Sequence, residues 1–139
     1  MPNRINLQLL ISYLGLVPLI IIILDKFYFG LFNPYVLKDF SILYSIIIFV
    51  FIGAINWSLV ENISFMQVLM GFLPSLLSVL IIILYLNSID VSLLIITFLF
   101  CQLAIDNFFY KKRIEKKIFM IMRVPLTFSI IISLILIQL

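Results

Sequence analysis

Along this chain, long apolar runs alternate with short polar breaks. The runs cover residues 5–24, 40–60, 65–86, 91–109 and 118–139. Each is about 20 residues long, and at about 1.5 Å of rise per residue an α-helix of that length crosses the roughly 30 Å hydrocarbon core of a bilayer. The pattern predicts an all-α fold, an integral membrane bundle of five transmembrane helices in a single domain, several of them kinked at proline. The first run follows Arg4 and is longer than the core of a signal peptide. No small-residue cleavage pattern follows it, so it reads as a retained helix.

The breaks have different chemistries. Asp25 to Asp39 mixes Phe27, Tyr28, Phe29, Phe32 and Tyr35 with charges and with the turn signals Gly30 and Asn33-Pro34. That mixture reads as an interfacial loop lying on the membrane. Glu61 to Ser64 is a short polar turn. Asn87-Ser88-Ile89-Asp90 is another, in which Ser88 or Asp90 can cap the next helix. Residues 110–117 form a basic connector carrying Lys111, Lys112, Arg113, Lys116 and Lys117.

Inside the runs, the positions that depart from large apolar side chains mark packing. Pro18 frees the carbonyl of Leu14, and a kink is expected there with Gly15 leaving room for a neighbour. Small residues recur four apart at Ser41 and Ser45 and at Ala54 and Ser58, with Gly53 beside the second pair. Gly71, Ser75 and Ser78 make one small stripe in the third run. Pro74 is expected to kink that helix rather than start it, because Pro74 to Leu86 would span only about 20 Å. Asn56 needs a partner inside the bundle, and Trp57 reads as an interfacial anchor.

Composition agrees with a membrane protein and limits its chemistry. Hydrophobic residues are 65% of the chain and charged residues 11%, with a mean hydropathy of +1.35, far from the balance of soluble domains. There is no histidine and only one cysteine, Cys101. No metal site, cofactor site or internal disulfide is therefore expected. A paired-carboxylate or Ser-base site is not assembled either, so an enzyme is not expected.

Of the nine basic residues, Arg4, Arg123 and the five in the connector fall on one side of a five-helix topology, and only Lys26 and Lys38 on the other. By the positive-inside rule the N-terminus is expected in the cytoplasm, or in the matrix of a mitochondrion, and the C-terminus outside. The basic connector, flanked by aromatics, is expected to touch anionic lipid headgroups; nucleic acid is not expected as a partner. Counting inward from the outer boundaries puts Asp106, Arg123, Gly71 and Asn56 about 24 Å down. A polar layer near the inner edge is thus expected, with Asp106 paired to Arg123. In its structural form, Asn56 and Gln102 satisfy backbone left open by Pro74 and Pro125, near Thr127. In its functional form, the layer binds an ion, a headgroup or a small polar ligand.

The ordered segments Leu14-Gly15-Leu16-Val17-Pro18, Gly53-Ala54-Ile55-Asn56-Trp57, Leu73-Pro74-Ser75-Leu76, Asp106, and Arg123-Val124-Pro125-Leu126-Thr127 resemble the family known as domain of unknown function 3429. That family includes transmembrane protein 69 of mitochondria. In the second run the family pattern has a second glycine, a histidine-like residue and Trp-Gly where this chain has Ala54, Asn56 and Trp57-Ser58. The resemblance implies a small multi-helix protein of a bacterial or mitochondrial inner membrane, and no activity. The expected function is a non-catalytic accessory, assembly or lipid-organising component, with another membrane complex as partner. A small carrier or channel is the second reading.

Overall fold

A computed structural model describes residues 10–54, 65–109 and 119–139, and among them there are helices and turns but no strand. The first helix, Leu10–Phe29, is 20 residues long. The second is Pro34–Ala54, the third Phe65–Leu86 and the fourth Ser92–Phe109. The fifth begins as a π-helical segment, Phe119–Arg123, and continues as Val124–Gln138. Four of the five are long and apolar enough to cross a membrane, the fourth being shorter. Large aliphatic side chains such as Leu10, Ile21, Ile47, Val79 and Ile83 point outward, as lipid requires and water does not.

The chain divides into two compact units, residues 1–41 with 110–139, and residues 42–109. In the first unit the first and fifth helices pack on each other. Their contacts fix direction. Near the start of both helices, Ser12 Oγ donates to Met122 Sδ at 3.4 Å, and Tyr13 Oη donates to the Ile121 carbonyl at 2.6 Å. Near the end of both, Lys26 Nζ donates to the carbonyls of Leu136 and Ile137 at 3.0 and 2.9 Å. The two helices are therefore parallel, in nearly constant register over about 20 Å. Leu19, Ile22, Ile130, Leu134 and Ile137 are buried between these polar ends of the helices.

In the second unit the second helix meets both others. A Cβ added to Gly53 would lie 2.5 Å from Pro74 Cγ and 3.1 Å from the Gly71 carbonyl oxygen. Glycine is required there because two backbones approach as closely as side chains normally do. The second and fourth helices stack Phe49 on Phe98, with ring centroids 6.1 Å apart. The third and fourth helices also pack on each other.

Two expectations are corrected by these elements. Asp25 to Asp39 is not a long interfacial loop: helix continues through Phe29 and resumes at Pro34, leaving Gly30 to Asn33 as the link. The reason is local hydrogen bonding. The Gly30 N–H donates to the Asp25 carbonyl at 2.7 Å, and Gly30 ends the helix at φ +61°. Asn33 then caps the second helix, its Oδ1 accepting from Tyr35 N and its carbonyl from Leu37 N, with Pro34 in the first turn where a missing N–H costs nothing. Among the described residues, no other helix comes within 4 Å of a Cβ placed on Gly15. The chain tightens into a turn at Gly15 and Leu16 ahead of Pro18, and a Cβ on Gly15 would meet the carbonyl oxygen of Ser12 in that same turn at 3.1 Å.

In the turn after the third helix, one of the two expected caps is the one used. Only Asp90 caps the fourth helix, its carboxylate accepting from Ser92 N at 2.9 Å. Ser88 closes the preceding helix instead. It sits in the left-handed region at φ +60°, while Ser88 N and Ile89 N donate back to the carbonyls of Tyr85 and Leu84.

Candidate functional site

Polar side chains sit at defined points on otherwise apolar buried stripes. Along the fourth helix the stripe runs Ile95, Leu99, Gln102, Asp106, so its last two members are polar, and both are buried. Gln102 Nε2 donates to Asp106 Oδ1 at 3.0 Å, one helical turn away. A neutral amide aimed at a buried carboxylate supplies one of the several hydrogen bonds such a charge needs when water is excluded. Along the fifth helix the stripe runs Arg123, Thr127, Ile130, Leu134, Ile137, again with its polar members at one end. Asp106 and Arg123 fall in different units, and their pairing stays an expectation from the sequence.

Pro125 shows what the sequence missed. Lacking an N–H, it leaves the Ile121 carbonyl without its helical donor, and the Tyr13 hydroxyl takes that carbonyl at 2.6 Å. The expected partner was Asn56 or Gln102. Gln102 is instead engaged by Asp106. No local signal links Tyr13 to Ile121, which are 108 residues apart.

Two more polar residues escaped the sequence reading. Asp25, only 3% exposed, accepts from Leu31 N at 3.0 Å on one oxygen and from Phe32 N at 3.1 Å on the other. Lys26 beside it donates to the two carbonyls at the end of the fifth helix, where the helix dipole also favours a cation. The clue was an adjacent Asp-Lys at the end of an apolar run, read there as the start of an interfacial loop. Replacing Lys26 by Met should cost about 1–2 kcal/mol, the low end for charge-assisted hydrogen bonds because the side chain is half-buried. Thermal unfolding in detergent reads this, with Lys26→Arg retaining most of the stability.

In the third helix, Gly71, Pro74 and Ser78 form the buried stripe, with Ser75 half-buried beside it. Ser75 offers its carbonyl to Ser78 Oγ at 2.7 Å, so the Ser78 hydroxyl is spent on its own helix. Asn56 and Trp57 lie outside the described residues, as do Lys111, Lys112, Arg113, Lys116 and Lys117. The depth count that placed Asn56 in the polar layer began at Phe40, whereas the helix begins at Pro34, six residues earlier. Among the described residues, no three His, Cys, Asp or Glu come together as a metal site.

No curated protein and no solved structure matches the chain. One family does match, over residues 6–139, and its description is protein of unknown function (DUF3429). Four of its helices are long and apolar enough to cross a membrane, and with nearly its whole length matched this chain belongs to the DUF3429 family.

Proposed function

We propose that this protein is a non-catalytic component of an inner membrane, an accessory, assembly or lipid-organising protein that works through its helix faces. What carries this reading is where its polar groups are directed. Asp25, Lys26, Tyr13, Gln102 and Ser78 each hydrogen-bond to the fold's own backbone or to a neighbouring side chain, while the outward surface is aliphatic and aromatic. Purification of the tagged protein from its own membrane in two mild detergents tests it. A larger assembly of the same composition and stoichiometry in both is expected. Recovery of the chain alone, together with solute flux after reconstitution, would contradict it.

A small carrier or channel is the second reading, favoured by the buried Gln102–Asp106 hydrogen bond at the end of the fourth helix. Intramembrane carboxylates are common on ion and proton paths.

The proposed topology has five crossings, the N-terminus inside and the C-terminus outside. Its support is the parallel packing of the first and fifth helices: two parallel crossings must be separated by an odd number of others. The second and third helices are long enough to cross. The fourth, 18 residues and about 27 Å long, then supplies the third crossing. The side assignment rests on basic residues, seven against two. In this topology the connector at 110–117 faces inward against anionic lipid, each basic residue contributing about 1 kcal/mol. Changing Lys111, Lys112, Lys116 and Lys117 to Gln should weaken flotation with anionic vesicles or disturb orientation. An unchanged result in both would make the segment an ordinary solvated turn.

A further inference from the structure

The link between the first and second helices spends its backbone amides on its own acceptors and turns its apolar groups outward, the reverse of a loop in water. At its base the Asp25 carboxylate takes the N–H groups of Leu31 and Phe32, and the Asp25 carbonyl takes that of Gly30. Asn33 takes those of Tyr35 and Leu37. The Lys26 ammonium is spent on two carbonyls of the fifth helix and lies 5.6 Å from the centre of the Phe27 ring. Outward stand Tyr28, 80% exposed, Leu31, 79%, and Tyr35, 77%, with Phe29 and Phe32 between them. In bulk water a turn has no need to satisfy its own amides, and exposing Phe, Leu and Tyr there is unfavourable.

We propose that this link is a lipid-contact surface, seated in the headgroup layer of the outer leaflet with its apolar side chains reaching the glycerol and upper acyl region. Lys38 and Asp39 set its height. They lie five and six residues past the Asn33 cap, so with these charges at the hydrocarbon boundary the link stands about 8–9 Å higher along the helix axis. A headgroup layer is about 5–8 Å thick on each side, so with any helix tilt the link lies within it. Tyr28 and Tyr35 suit that layer, their rings in the apolar part and their hydroxyls toward phosphate and water. The partner is the bilayer itself, and the inference holds whether the protein is an accessory component or a carrier.

The test uses the full chain reconstituted in phosphatidylcholine and phosphatidylglycerol vesicles, with Trp57 changed to Phe so that no native tryptophan remains. Tryptophan is then placed at Leu31 in one variant and at Tyr28 in another; both positions are exposed and accept the larger ring. Each tryptophan should be quenched more by a lipid spin-labelled at the headgroup or upper acyl chain than by one labelled deep in the chain. Each should also be several-fold less sensitive to aqueous iodide than free tryptophan. Iodide quenching equal to that of free tryptophan would overturn the proposal, because the link would then stand in water. Protection from every quencher would also overturn it, in favour of a protein covering the link.

Discussion

Replacing Gly53 by Ala should destabilise the protein, although the same change in an open helix would stabilise it. Alanine gains about 1 kcal/mol over glycine in helix propensity. Against this, the new methyl would lie 2.5 Å from Pro74 Cγ and 2.8 Å from Pro74 Cβ. A proline ring cannot swing aside, so the second and third helices must separate, and overpacking of this kind costs about 1–3 kcal/mol. A net loss of up to about 2 kcal/mol is expected for Ala, and a larger one for Val. Thermal unfolding in detergent measures it. Adding Pro74→Ala should restore part of the loss, because it removes the ring atoms that collide, and the two substitutions should be strongly non-additive. A stabilised Gly53→Ala protein would mean that the helices are not in contact at this point.

The second large effect is expected at Asp25. Its two oxygens are the hydrogen-bond acceptors for Leu31 N and Phe32 N, and at 3% exposure the carboxylate is shielded from solvent. Alanine there leaves both amides without an acceptor, at about 1–3 kcal/mol each. A loss of about 2–5 kcal/mol follows. Asn should lose about half as much, because its single carbonyl can still serve one amide. Hydrogen exchange at Leu31 and Phe32 provides a local readout: it should accelerate in Asp25→Ala well before global unfolding. Equal stability of the Ala and wild-type proteins would show that the amides find other acceptors.

Asp25 also shows why a loop was expected where helix stands. Charges and aromatics beside an apolar run fit a solvated interface as well as they fit a helix end, and the difference lies in where one carboxylate points. The Asn33-Pro34 pair was readable as a cap followed by a first-turn proline, and its helix-starting geometry is what the structure has. By contrast, the five apolar runs located the helices because length and hydropathy are local properties. Contacts across the chain had no such signal. Gly53 and Pro74 each stood out as packing residues, yet nothing in their spacing joined them. Tyr13 was not singled out at all, since its role depends on a carbonyl left open by Pro125. Gln102 and Asp106, four apart on one helix face, were within reach of the helical periodicity, and their hydrogen bond follows it.

The first and fifth helices run parallel, and the proposed topology therefore needs the fourth helix as a full crossing despite its length, with the two termini on opposite sides. Reporter fusions at residue 1, at Ile89 and at Leu139, each made in the full chain and scored in intact and permeabilised membranes, test it most directly. Five crossings put the reporters at Ile89 and Leu139 on the same outer face and the one at residue 1 on the inner face. A C-terminal reporter on the same side as the N-terminus would contradict it, because an even number of crossings cannot hold Tyr13 against Ile121 and Lys26 against Leu136 at once.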